Sequence, residues 1–231
     1  MLISVLCQAG SLSTTLTNDT TDIAHSNTQL SMDIELKNIN PKFTELFRET
    51  FAFTEEEFAL FFSCFTVKII PKKKYFLRAG ECCRSKAYLN KGCARNFVLD
   101  EKGHERILFF SFEDWWLGDF DSYYSGKRAT NFVQMMEDSE LLIISKENFQ
   151  KLELEIPKLK QWYSFKMLRS ASAARNRIEE MKTLSAEERY LDLLEKQPHI
   201  CQRIPQQYIA SYLNIEPQSL SRMRNRLKNK H

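Results

Sequence analysis

Hydrophobic positions change their period twice along the chain. Between Phe43 and Phe62, in FTELFRETFAFTEEEFALFF, the aromatics recur at helical spacing, and Thr54 with Glu57 makes a capping box. That stretch predicts two short helices. Five of the six glycines (Gly80, Gly92, Gly103, Gly118, Gly126) then fall between residues 80 and 126, about ten residues apart, separating runs such as KAYLNKG, ARNFVLD and ERILFFSF. Short strands with regular turn signals predict a small antiparallel barrel or jelly roll. After Gly126 there is no glycine, and Pro157, Pro198, Pro205 and Pro217 punctuate helical patterns, so the remainder is expected to be all helical. Within it Met167, Ala171, Ala174, Ile178 and Met181 recur at 4-3-4-3 spacing, the seam of a helix lying along a partner. The stripe either packs on its own domain or meets a second copy, and the small alanine pair allows close approach.

Composition narrows the class. The 231 residues are 43% hydrophobic and 12% aromatic, with six Gly and six Pro, which describes a chain able to bury a core. Residues 1–31 are rich in Ser, Thr, Asn and Asp without apolar periodicity and are expected to be a disordered leader. Met32, where folded-domain composition begins, is a candidate natural start. No stretch reaches the roughly 18 to 20 apolar residues of a membrane span, and the run from Met1 to Ala9 lacks the cationic lead of a signal peptide. The expectation is a cytoplasmic protein without a membrane partner.

Chemistry of the enzymatic kind is not indicated. The four histidines are scattered, and neither a nucleophile elbow nor a phosphate-cradling glycine loop is present. Cys82, Cys83 and Cys93 lack the further Cys or His pair that a metal or iron-sulfur site would need, so no metal is expected and the thiols read as reduced, half-buried small residues.

Charge is more informative by position than in total. The formal net charge is +3, yet residues 201–231 carry Arg203, Arg222, Arg224, Arg226, Lys228 and Lys230 against Glu216 alone, an end suited to a polyanion. The same end holds the clearest motif, IPQQYIASYLNIEPQSLSRMRNRLKNK. Pro205 starts a helix with Ile209, Tyr212 and Leu213 inward and a small Ala210 where two helices cross; Asn214 suits its left-handed end, and Pro217 opens a second helix burying Leu220, Met223 and Leu227. This is a helix-turn-helix pattern, and its partner is expected to be double-stranded DNA. Gln218, Ser219, Ser221 and Arg222 occupy the turns that enter a major groove and are the candidates for base reading. Arg224, Asn225, Arg226 and Lys228 lie further along and are the candidates for phosphate contact.

A helical lead-in, a β-barrel, a long helix and this C-terminal motif together resemble the Crp/Fnr family of bacterial transcription regulators, over residues 42–228. Three stretches carry the resemblance: EDWWLGDFDSYYSGKRAT, SAEERYLDLLEKQP and IPQQYIASYLNIEPQSLSRMRNRL. It implies an α+β architecture: an N-terminal double-stranded β-helix (a cyclic-nucleotide-binding-like jelly roll) at 32–150, a dimerisation helix at 151–183 and a winged helix-turn-helix at 184–231. It also implies a homodimer that places one helix from each subunit in successive major grooves, with RNA polymerase as a further candidate partner. A non-DNA dimeric adaptor is the remaining alternative.

The first stretch resembles a degraded cyclic-nucleotide cassette, in which Gly118, Asp119, Arg128, Ala129 and Thr130 stand at the matching places. Asp119 is a methylene shorter than the family's glutamate, and DSYYSGK is bulky where nucleotide binders carry small residues. Two readings follow. Either Arg128 holds a cyclic nucleotide or another small anion, or the cassette is a structural relic in which Arg128 pairs with Asp119 or Asp121; the second is preferred, so no cofactor is expected. Trp115 and Trp116 are read as one core ring and one interface ring.

Overall fold

The computed structural model describes residues 39–228 except 46, 49 and 50; the expected leader and Met32 lie outside the described residues. Helices α1 (Pro41–Glu45) and α2 (Glu55–Ser63) form the lead-in. The capping box is reciprocal: Thr54 Oγ1 accepts from Glu57 N–H at 3.2 Å, and Glu57 Oε2 accepts from Thr54 N–H at 2.8 Å. Helices this short are marginal alone. They are held by an aromatic cluster in which Phe43 stacks on Tyr88 at 3.7 Å, and Phe47 and Trp116 each meet Trp162. Each fully buried phenylalanine contributes about 1.5–3 kcal/mol.

Eight strands follow: β1 (Thr66–Ile70), β2 (Tyr75–Leu77), β3 (Ser85–Lys91), β4 (Ala94–Leu99), β5 (Glu105–Ser111), β6 (Trp115–Leu117), β7 (Phe132–Met135) and β8 (Ser139–Ser145). Helix α3 (Phe120–Ser125) interrupts them after β6. The two antiparallel sheets run β1-β8-β3-β6 and β2-β7-β4-β5, the strand order of a jelly roll. Leu77, Leu89, Leu117, Val133, Met135 and Leu141 fill the space between them. Gly92, at φ +112°, turns the chain from β3 in one sheet to β4 in the other; a Cβ there would stand 2.3 Å from Ser139 Oγ, so the turn and its close approach both exclude a side chain.

The expectation of an all-helical chain after Gly126 is corrected by β7 and β8. Their turn closes without glycine, on Asp138, whose Oδ1 accepts from Lys72 N–H at 2.8 Å, and SELLIIS follows strand burial closely enough to pair with both β1 and β3. Helices resume at α4 (Lys146–Glu155), capped by Ser145, and continue through the 27-residue α5 (Pro157–Thr183), α6 (Ala186–Lys196), α7 (Ile200–Arg203), α8 (Gln206–Tyr212) and α9 (Pro217–Lys228). Two expectations are corrected: the long helix expected at 151–183 starts only at Pro157, after a break at Ile156, and no strand follows β8 among the described residues, so the wing expected within 184–231 is not formed. Trp116 packs into the aromatic cluster, whereas Trp115 is 42% exposed beside Phe109.

Candidate nucleic-acid interface

The two last helices form because their turn is chemically specified. Leu213 N–H donates to Ile209 O at 3.0 Å, Asn214 takes φ +56°, and Ile215 N–H reaches back to Ala210 O at 3.0 Å, so the C-terminal carbonyls of α8 are satisfied by a left-handed residue. Pro217 then opens α9. Ala210 and Leu220 are fully buried, with Ile209, Leu213 and Met223 around them. Gln218, Ser221 and Arg222 are exposed, Ser219 is half-buried, and an Arg222 nitrogen lies 3.5 Å from Ser219 Oγ. The four base-reading candidates are therefore brought onto one turn-and-a-half of α9.

The four phosphate candidates are less uniform. Asn225 and Arg226 are exposed and Arg224 is half-buried. Arg226 is ion-paired to Glu187 on α6, so it braces α9 as well as adding charge; no spacing in the sequence indicates this pair. Lys228 ends the helix.

Further contacts that sequence reading missed dock this helical unit on the barrel. Ser211 Oγ accepts from Ile107 N–H at 3.2 Å and donates to Glu105 O at 3.2 Å. Phe110 packs on Tyr212, and Arg95, paired with Glu105, lies 4.1 Å from the ring centre of Tyr208. Arg203 grips Glu113 with two bonds of 2.9 and 2.8 Å and also holds Glu137. Burial pushes the Glu113 carboxyl up, and the Arg203 bonds more than offset this, leaving it below the ordinary carboxylate value. The hydrogen-bonded partners across this contact stand 66 to 106 residues apart in sequence, where ordinary Ser, Arg and Glu residues carry no signal.

In α5, Ala171, Ala174, Ile178 and Met181 are exposed and Met167 is half-buried against the aromatic cluster. Ile178 is 56% exposed, and Leu168, which flanks the stripe one turn before Ala171, is 71% exposed.

The cassette residues converge, but their bonds are internal. Asp119 caps α3: Oδ1 accepts from Ser122 N–H at 2.9 Å and Oδ2 from Thr130 N–H at 3.1 Å. Both oxygens are thus engaged by backbone. Arg128 does not pair with Asp119 or Asp121 as expected; its Nη1 donates to Gly80 O at 2.6 Å, because Arg128 bridges to Cys82 and its side chain runs back along the neighbouring loop. Gly118 takes φ +149°, Ala129 is buried and Thr130 exposed. Tyr123 of the bulky segment fills the barrel interior. Beneath it Lys86 is buried, donates to Tyr124 Oη at 3.0 Å and lies 3.4 Å from the ring centre of Tyr163 on α5; burial lowers its pKa to about 7.

Of the adjacent cysteines, Cys82 is exposed and Cys83 buried, and burial pushes the Cys93 thiol up to about 12, away from the thiolate that metal ligation requires. Among the described residues no group of three or more His, Cys, Asp or Glu is placed to hold a metal, and no helix is long and apolar enough to cross a membrane.

No protein-family model matches the sequence, and no curated protein matches it. Solved structures do. The c-di-GMP responsive global regulator CLP of Xanthomonas campestris is 15% identical, with 77% of this chain and 93% of that one covered at a TM-score of 0.63. The catabolite activator protein of Thermus thermophilus is 21% identical, covering 80% and 87% at 0.52. A regulator from Eubacterium rectale assigned to the Crp/Fnr family is 17% identical, covering 78% and 85% at 0.61. Likeness at this identity is one of fold, and the fold is that of Crp/Fnr-type regulators.

Proposed function

We propose that the chain is a sequence-specific DNA-binding transcription regulator that acts in the cytoplasm as a homodimer, with 32–150 as its sensor-like domain, 151–183 as its dimerisation segment and 184–231 as a helix-turn-helix domain without a β wing among the described residues. The carrying observation is the α8–α9 pair: its Asn214 turn and buried Ala210 crossing leave Gln218, Ser219, Ser221 and Arg222 outward, on a chain with a Crp/Fnr-type regulator fold. Arg222 is suited to guanine O6 and N7, and Gln218 to adenine N6 and N7. Arg224, Asn225, Arg226 and Lys228 supply phosphate contacts that fix register and carry the salt dependence. Two copies joined through Met167, Ala171, Ala174, Ile178 and Met181 would present two such helices to one face of the duplex, with RNA polymerase as the partner of the assembled complex. Such a protein uses binding energy alone and needs no catalytic residue, metal or cofactor.

Selection of bound sequences from random duplexes tests this reading. The expected result is an enriched palindrome with half-sites about one helical turn apart. An adaptor that dimerises without DNA would enrich nothing, which would overturn the reading.

A second reading keeps an effector, because a regulator of this fold is named for responding to c-di-GMP and Arg128 is exposed at the cassette. The engagement of both Asp119 oxygens by backbone argues against a ribose partner there. Calorimetry with cyclic AMP and cyclic GMP is expected to show no binding at physiological concentration. Micromolar affinity abolished by Arg128→Ala would establish the effector reading in its place.

A further inference from the structure

A cavity of about 60 Å³ lies where the last turns of α5, helix α6 and the end of α8 meet. Arg177 reaches it from α5. Its guanidinium carbon stands 3.6 Å from the ring centre of Tyr212 and its Nη2 donates to Tyr212 O at 3.0 Å, so both of these contacts are to neutral groups. Arg189 reaches it from α6, donating through Nη1 to Leu184 O at 2.5 Å and through Nη2 to Leu213 O at 3.1 Å, while its Nε is buried without a hydrogen-bond partner. The carboxylates on the wall are already engaged: Glu180 and Asp192 both bind Lys196, at 3.2 and 2.8 Å. Three cations against two carboxylates leave one positive charge, and neither arginine has an ion pair among the described residues.

Buried guanidinium groups ordinarily meet a carboxylate or an oxyanion, and a buried N–H without a partner is rare in a finished structure. One water needs about 10–15 Å³ of such space, so this cavity holds several waters or one four- or five-atom ion. We propose that it binds a small inorganic oxyanion of the phosphate, sulfate or nitrate type, bridging Arg177 and Arg189 and fixing the α8–α9 pair against the long helix. Planar guanidinium forks match planar or tetrahedral oxygens better than a bare halide. Burial also lowers the pKa of Arg177, which nearby Glu180 only partly offsets.

Thermal unfolding of the full-length protein, titrated with sodium phosphate against sodium chloride at matched ionic strength, tests the site without DNA, so its outcome is independent of the regulatory reading. A ligand bound only to the folded state raises Tm with the logarithm of its concentration once that exceeds Kd. Phosphate is expected to do this at millimolar concentration or below, and chloride to leave Tm flat. In Arg177→Gln the phosphate response should vanish. Because that change also removes the Tyr212 contact, Lys196→Gln serves as the exposed second variant: it frees two carboxylates to face the cavity and should weaken the apparent phosphate Kd at least tenfold while the protein stays folded. A rise that is the same for chloride, or that persists unchanged in both variants as a general salting effect, would overturn the proposal.

Discussion

Ala174→Glu is expected to convert the protein from dimer to monomer. On the proposed interface the two-fold axis brings residue 174 of each copy near its counterpart, so the substitution sets two carboxylates face to face in a contact that excludes water. Each would lose hydration with no cation in the stripe to replace it, and removing even one such charge from water costs several kcal/mol. The monomer is not harmed by the same change. Residue 174 is exposed, and glutamate is a good helix former, so α5 keeps its conformation. Light scattering should therefore report 27.2 kDa in place of twice that mass, with an unchanged circular-dichroism spectrum. DNA affinity should fall by about 10²–10⁴, since linking two half-site readers supplies that advantage. A folded variant that stays dimeric would move the interface elsewhere, with the exposed Leu168 the next position to test.

What is legible in the sequence, and what is not, follows the range of each interaction. The Thr54 and Glu57 cap, the glycine-marked turns of the barrel and the Pro205, Asn214 and Pro217 punctuation are local, decided by residues within a few positions of one another. All of these can be read directly. The strands β7 and β8 escape, because no glycine marks the connection between them, where Asp138 accepts from Lys72 N–H instead. Asp119 reads as half of a ligand site, but a short acid before a helix is also a cap, and the backbone here consumes both of its oxygens. Arg128 meets a carbonyl rather than a carboxylate because its backbone is bridged to Cys82, which turns the side chain away from α3. The clasp of Arg203 with Glu113 and Glu137 and the seat of Ser211 on β5 link residues 66 to 106 positions apart. Folding alone brings those pairs together.

The reader helix should divide its work along its length. Arg222 lies one turn beyond Gln218 and both are exposed; in the proposed docking both precede the part of α9 that leaves the groove for the backbone. Arg222→Ala should cost about 1–3 kcal/mol on the selected palindrome and relax discrimination at one base pair per half-site, because a bidentate contact to guanine is lost. Lys228 ends the helix, and in the proposed docking it is the candidate for a phosphate contact that carries no sequence information. Lys228→Ala should weaken all duplexes alike and reduce the slope of log K against log salt by about one per subunit. Arg226 should contribute less than its charge suggests, since Glu187 already neutralises it and must be given up for DNA. Titrations at several salt concentrations, on the palindrome and on a scrambled duplex, separate these effects. Should Arg222→Ala lower affinity equally on both, Arg222 is a phosphate ligand, and base reading belongs to Gln218, Ser219 and Ser221.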